Sequence, residues 1–336
     1  MMSSRPSLPA RPAPQRVWRD AVLMSGLLAL VVAGLIGLAA ATGWSETRAQ
    51  IARLGAGQVT VLLGLSLFNY LARALRWHIF GRRIGLPPGL WRDIRHFLGG
   101  FLMSVTPGRL GELVRIRWIR RETGIPIESC APLFLMDRAA DLVAMGLLLG
   151  LALALSTGGG IAGGLPLALL AVLMAVAATR ANLLAALATR AYRIVGHWPR
   201  LFGRLRGMAR MLDQFSHSGV LAASVALGSV GWLAEGVAFH LLLSWLGADI
   251  GLWTATGIFV FATLAGGLTG APGGLGGAEA AMVALLTLQG VAPETTVAAT
   301  AVIRVTTLWF AVGIGFFIFP LAERLSKGKR NAMEIG

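Results

Sequence analysis

Glutamate and arginine recur in this chain at two places where the surrounding apolar sequence should exclude both. Pro107-Gly108-Arg109-Leu110-Gly111-Glu112 and Pro272-Gly273-Gly274-Leu275-Gly276-Gly277-Ala278-Glu279 each interrupt an apolar run with Pro-Gly-x-Leu-Gly and then bring in a carboxylate. An arginine follows 31 residues after the first proline, at Arg138, and 32 after the second, at Arg304. A helix restarting after each break aims free N–H groups and its positive dipole end into the protein, which is an anion site. Glycines at 273, 274 and 276 let a bulky group approach the backbone, Arg109 adds a cation, and guanidinium groups bind phosphate bidentately. Such a set holds and releases a phosphate-bearing headgroup; it has no nucleophile with which to make or break bonds. The expected substrate-binding residues are therefore Arg109, Glu112, Arg138, Gly273, Gly274, Gly276, Glu279 and Arg304. The competing reading of Gly-rich breaks is close helix packing.

Asp137 and Asp141 lie four apart on one helix face, with Arg138 one step round. A charge at bilayer centre costs about 2.5–3.5 kcal/mol on insertion scales, so these groups must pair. Arg138 is expected to meet Asp141 or Glu112, and Arg304 to meet Glu279, with Glu235 as second choice. Asp137, Asp141 and Glu235 are thus expected in structural ion pairs. Whether such pairs only pin the fold or also gate a pathway is open at this level. Arg73, Arg76 and Trp77 close an early apolar run and are expected as headgroup anchors at the membrane surface, by snorkelling or by clamping. His240, alone in an apolar span, reads as a satisfied core histidine before a proton relay. One cysteine, Cys130, excludes an intramolecular disulfide and a Cys metal cluster. The five histidines lack metal-ligand spacing, so no metal, cofactor or catalytic residue is expected.

The elements that must carry these residues follow from hydropathy. The chain has 336 residues, 56% hydrophobic and 13% charged, with mean hydropathy +0.71. Soluble domains carry about 25% charged residues, so this is a polytopic membrane protein. Its net charge of +15 reads as orientation and contact with anionic lipid, and no aromatic-interleaved nucleic-acid platform is visible. A span takes about 20 apolar residues. Full spans are expected at 21–43, 56–75, 131–155, 161–180, 219–246 and 296–320. Two shorter pairs, 94–106 with 109–120 and 254–270 with 275–290, meet at the Pro-Gly breaks and read as re-entrant hairpins; two short spans remain the alternative for 254–290. The fold class is all-α, with about six full spans and two re-entrant helical hairpins.

Twenty-six of the 30 Lys and Arg residues fall in 1–19, 73–95, 109–121, 180–210 and 323–336, whereas 156–164, 247–253 and 290–295 hold none. The positive-inside rule then sets both termini in the cytoplasm. Eight of ten tryptophans (18, 44, 77, 91, 118, 198, 245 and 253) fall near expected span ends, as in an aromatic belt. With that orientation the two hairpins enter from opposite sides, giving an inverted repeat of halves 56–180 and 219–320, an arrangement that secondary transporters use for alternating access. The join, 181–217, reads as an interfacial amphipathic helix or as a solvated basic loop. Residues 1–19 are expected to be a disordered basic cytoplasmic tail, 20–322 the membrane domain, and 323–336 a second cytoplasmic tail.

Taken together, Arg73-x-x-Arg76-Trp77, Pro-Gly-x-x-Gly-Glu at 107–112, Asp137-Arg138-x-x-Asp141, Pro-Gly-Gly-Leu-Gly-x-x-Glu at 272–279 and the late Arg304 resemble the lysylphosphatidylglycerol synthase transmembrane (flippase-like) family. Asp137 stands where the family pattern has Glu, which shortens one carboxylate. The resemblance spans about residues 20–322 and implies a lipid translocase without naming its lipid. Bifunctional members carry a fused aminoacyltransferase. With about 14 residues after the last span, a stand-alone member is expected here.

The expected function is movement of a phosphate-bearing or otherwise polar lipid between leaflets, in the bacterial cytoplasmic membrane. The expected partners are membrane lipids, either anionic phospholipid or a polyprenyl- or hopanoid-type lipid, and a lipid synthase encoded nearby. No Walker sequence is present to supply ATP. The alternatives are a membrane-embedded lipid-modifying enzyme, with Glu112 or Asp137 as general base, and an accessory subunit of a lipid or glycan synthase.

Overall fold

The computed structural model describes residues 44–106, 112–156, 180–195 and 217–335, with single positions at 166, 169, 173, 203 and 215. The expected span 21–43, most of the span 161–180, the greater part of the joining segment and the break Pro107–Gly111 with Arg109 lie outside the described residues. Every regular element among those described is helical: α1 Trp44–Ala52, α2 Ala56–Arg83, α3 Leu90–Gly99, α4 Val114–Thr123, α5 Ile127–Leu155, α6 Ala181–Val195, α7 Ser218–Trp245, α8 Leu252–Leu268, α9 Gly277–Leu288, α10 Pro293–Arg304 and α11 Phe310–Ile335. Two 3-10 turns, Gly100–Val105 and Pro272–Gly274, follow α3 and α8, and a π-helical turn, Val305–Trp309, joins α10 to α11 without a break.

Four helices are long and apolar enough to cross a membrane: α2, α5, α7 and the continuous stretch 293–328. The protein is an all-helical, multi-pass membrane protein. At 1.5 Å per residue the 28 residues of α2 extend about 42 Å, more than the hydrocarbon core requires. The sequence puts its end near residue 75, but α2 runs on to Arg83, its last turn carrying Arg82 and Arg83 against the negative dipole end. The final span likewise continues through Ile335 instead of ending at 320.

Packing between the elements is reciprocal. The arm α3 lies between α2 and α11, whereas the arm α8 lies between α7 and α5. Each of these arms is therefore held by the first span of its own half and by the span that follows the break in the other. The 3-10 turns at the two breaks meet each other. At the second break the arms touch backbone to backbone: a side chain at Gly266 would run into Ala278 and the Gly274 carbonyl.

Apolar burial falls into two clusters. One gathers Leu62, Leu148, Phe239, Ile258, Met282 and Ile303, and the other Trp77, Phe97, Ile119, Leu133 and Phe215. Between them, across the middle of α2, α5 and α7, runs a layer of buried polar side chains: Ser66, Asn69, Arg73, Arg76, Asp137, Asp141 and Glu235. Asp141 is the midpoint of α5, 14 residues from either end (141 − 127 and 155 − 141).

At the end of the bundle where α3 and α4 turn, short polar ties fix the helices. Arg95 and His96 bind Glu122 at 2.6 and 3.1 Å, and Trp118 Nε1 and Arg121 donate to Glu323 at 2.8 and 2.7 Å. Burial pushes the Glu122 carboxyl up, but the bond from His96 and the Arg95 charge outweigh it and hold the group below the usual carboxylate range. Trp77 and Trp118, expected in an interfacial belt, are instead fully buried in the second apolar cluster or its rim, while Trp91 is exposed. A tryptophan near a span end is indistinguishable in sequence from one that plugs a helix crossing.

Candidate functional site

The densest chemistry lies between α2 and α5. Residues three or four apart share a helix face, so 73 and 76 stand together on α2, and 137 and 141 on α5. Two arginines thereby meet two aspartates. Arg76 donates to Asp137 Oδ1 at 2.6 Å and to Asp141 Oδ1 at 2.7 Å, and Arg73 donates to Asp141 Oδ2 at 2.6 Å. Trp232 Nε1 on α7 completes the set at 3.3 Å from Asp141 Oδ1. Arg73, Arg76 and Trp77, expected as surface anchors, are therefore corrected to interior residues. They sit ahead of two further helical turns, and Arg76 and Trp77 are fully buried. The carboxylates four apart on α5 draw the arginines inward, because neither sign is tolerable unpaired at this depth.

Arg138 joins the same layer from the next position of α5. Its guanidinium lies 2.7 Å from Asp137, 3.5 Å from Asp141 and 3.6 Å from Glu112. It thus contacts both partners that the sequence left open. With 23% of its side chain exposed it is the most accessible arginine of the layer. Glu112 also takes a bond from Ser104 Oγ at 2.9 Å and an ion pair with Arg115 at 3.1 Å. Arg115 went unread in the sequence, where it stood among the basic residues of a loop. It is fully buried, and its guanidinium lies 4.3 Å from the Phe97 ring centre and 5.4 Å from that of Trp77.

The second break builds a counterpart. Arg304 ends α10, 11 residues inside it (304 − 293), and donates from Nε to Glu279 Oε1 at 2.6 Å and from a terminal nitrogen to the Gly273 carbonyl at 3.0 Å. Glu279 Oε2 in turn accepts the Gly276 N–H at 2.7 Å. The positive end of α9, expected to hold a ligand anion, is therefore closed by the protein's own carboxylate. Gly276 has φ +82°, a conformation that side-chain-bearing residues adopt only with strain, and this turns its N–H toward Glu279. Gly273 is buried and Gly274 half-buried, and both contribute backbone to the break.

Glu235 differs from the expected ion-pair residue. It is 1% exposed, at the centre of α7, and accepts from Ser66 Oγ at 3.0 Å and Asn69 Nδ2 at 2.9 Å. Among the described residues it makes no ion pair. Neither Ser66 nor Asn69 was singled out in the sequence, since small polar residues in an apolar helix give no signal until their partner helix is known. His240 is half-buried, its Nδ1 bonded to the Ile250 carbonyl at 2.8 Å.

Arg73, Glu235 and Arg304 among these groups line a cleft of about 60 Å³ between the two halves. Its polar wall comprises Asn69 and Arg73 from α2, Ser104 beside the first break, Glu235 from α7, and Arg304 and Thr307 from the last span. Phe101, Trp232 and Phe259 close it on the apolar side. The Thr307 carbonyl, in the π-helical turn, accepts the Tyr70 hydroxyl at 2.5 Å across the cleft. Such turns concentrate at functional sites. One arginine from each half thus faces a single polar space, although the first half supplies Arg73 where the repeat had pointed to Arg138.

The family model described as the lysylphosphatidylglycerol synthase TM region matches residues 22–315. A protein described as a UPF0104 membrane protein, from Methanothermobacter thermautotrophicus, is 31% identical over 101 residues, which is 30% of this chain and 30% of that relative. The matched region covers under a third of the relative's length. Residues 22–315 include every helix that walls the cleft, and the chain belongs to the lysylphosphatidylglycerol synthase transmembrane-region family.

Proposed function

We propose that this protein is a lipid translocase in which a phosphate-bearing headgroup enters the cleft between the two halves and leaves on the other side. The observation that carries the reading is the pair Arg73 and Arg304 in one polar wall, each from a different half, inside an otherwise apolar bundle. A cleft that is polar at mid-bundle serves no folding purpose that apolar packing would not serve better. The two break turns meet beside it, a π-helical turn follows Arg304, and the hydroxyls of Tyr70 and Ser66 both bond from the first half to the second. Arg304 exchanges Glu279 for a phosphate oxygen, and Arg138 offers a second guanidinium at the partly exposed edge. Reciprocal packing gives the two arms equivalent settings, which supports alternating access by exchange between them. The membrane in question is the bacterial cytoplasmic membrane, with the basic loops inside.

The test is reconstitution in liposomes with fluorescent phosphatidylglycerol in one leaflet and dithionite quenching as readout. Wild type equalises the leaflets, and Arg304→Ala slows that by about tenfold to a hundredfold, the loss of one charge-assisted phosphate contact. Translocation at the wild-type rate by Arg304→Ala and Arg73→Ala removes these residues from the path. A new lipid species in mass spectra of the same vesicles points to the lipid-modifying enzyme instead.

A further inference from the structure

Most carboxylates in the interior of this protein are held by arginine: Asp137, Asp141, Glu112 and Glu279 all lie in ion pairs. Glu235 is the exception among the described residues. It is as deeply buried as the others and it faces the cleft, yet its partners are one hydroxyl and one amide. We propose that Glu235 is a proton-binding site, taking up a proton as an anionic headgroup enters the cleft and releasing it as the headgroup leaves. The inference rests on the translocase reading of the cleft and supplies its energy coupling.

The surroundings accept both forms of the carboxyl. Ser66 carries a hydroxyl, which donates to a carboxylate or turns to accept from a carboxylic acid. Asn69 carries an amide whose Oδ1 has no hydrogen-bond partner among the described residues. Rotation of that amide by half a turn brings Oδ1 to the Glu235 carboxyl, where a proton would satisfy it. An orphaned buried acceptor beside a buried acid is what a site with two protonation states requires. The cleft has room for about two water molecules beside the carboxyl.

The charges around Glu235 give the linkage its sign. From α2, Arg73 and Arg76 face the layer, and Tyr70 lies on the cleft; from α5 come Asp137, Arg138 and Asp141; Glu112 and Arg115 stand behind Ser104. From α10, Arg304 is matched by Glu279, and α8 brings no titratable side chain. On α7 itself the nearest titratable group is His240, bonded to the Ile250 carbonyl. Apart from the Arg304 pair, the described groups amount to four arginines against three carboxylates. An ionised Glu235 balances them. A protonated Glu235 leaves one positive charge in excess, which is what an incoming phosphate needs, so proton and anion favour each other's binding reciprocally.

The experiment uses the full chain in phosphatidylcholine nanodiscs, titrated with short-chain phosphatidylglycerol in weakly buffered medium containing a pH-indicator dye. Wild type takes up about one proton for each probe bound, Glu235→Gln binds the probe without uptake, and Glu235→Asp restores uptake. Wild-type affinity falls about tenfold per pH unit above the titration of Glu235, while the Gln variant stays flat. Protection of the buried Cys130 thiol certifies that each variant is folded. Equal uptake by wild type and Glu235→Gln, or a flat wild-type profile, overturns the proton linkage and leaves the translocase reading intact. Uptake driven equally by inorganic phosphate assigns the site to the free anion and overturns its coupling to lipid. Absence of probe binding together with absence of lipid crossing in liposomes removes the translocase reading and the linkage together.

Discussion

At the residue scale, the interior of this protein is governed by the cost of charge in an apolar medium. Arg76 touches both aspartates of α5 and is fully buried, so its removal takes a guanidinium from each of two buried carboxylates, leaving Asp137 to Arg138 and Asp141 to Arg73. Breaking a buried pair from one side costs about 3–5 kcal/mol, whereas removing both signs together costs far less. Arg76→Met is therefore expected to lose about that much stability, and Arg76→Met combined with Asp137→Asn to regain part of it. The single cysteine is buried, so the rate at which a thiol-reactive dye labels Cys130 on heating or in mixed detergent reads unfolding directly. A melting point for Arg76→Met equal to wild type would mean that the layer is hydrated and not a dry ion pair. Several residues of this layer were legible in the sequence: Asp137, Asp141, Arg138 and Arg304 stand out because charge interrupts apolar runs. Their pairing was legible for Glu279 with Arg304 and for Arg138 with Asp141 and Glu112, but not for the two arginines of α2. Arg73 and Arg76 were misjudged because α2 runs past the point where hydropathy falls, and hydropathy alone cannot place a helix end to within two turns.

At the element scale, the hairpins depend on the closeness of their arms. Gly266 faces Ala278 and the Gly274 carbonyl at a distance that admits no side chain, and Gly315 faces the backbone of Phe101 and Leu102 in the first 3-10 turn in the same way. Each glycine therefore sets how deeply a break can sit against its neighbour. Gly266→Leu is expected to separate α8 from α9 and pull Glu279 away from Arg304, raising hydrogen exchange across residues 269–280 while α2 and α7 stay protected. Uniform exchange throughout the bundle would show a general loss of fold, and unchanged exchange would show that the arms are already apart in the membrane. The existence and position of the second break could be read from Pro272-Gly273 in apolar sequence, because few other sequences stop a helix there. Its closure could not. Whether a helix N-terminus is open to a ligand or stoppered by Glu279 depends on a side-chain rotamer, and spacing along the chain does not encode it. The π-helical turn after Arg304 was equally silent, since one extra residue in a helical turn leaves the apolar period of that span nearly unchanged.

At the scale of the whole molecule, the reciprocal packing has a consequence for topology that can be measured. If α3 is held by α2 and α11 while α8 is held by α7 and α5, the two hairpins are equivalent under exchange of the halves. Basic residues gather at the turn following α2 and around α4, but the turns at 246–251 and 289–292 contain none. The positive-inside rule assigns one side to each set, and the topology we propose has the hairpins entering from opposite faces. In a Cys130→Ala background, Asp249→Cys and Leu288→Cys are expected to react with an impermeant maleimide added outside intact cells. Pro88→Cys and Arg120→Cys should react only after the membrane is opened. All four positions are exposed, so accessibility differs only by the side they face. Labelling of all four from one side would abolish the inverted arrangement, and with it the alternation of a single cleft between two leaflets. Reaction of the first pair only after opening would keep the inversion and reverse the orientation, putting the basic loops outside. The first pattern is the one expected, because reversal would carry the arginine-rich turns across the bilayer against the bias that orients most multi-pass chains.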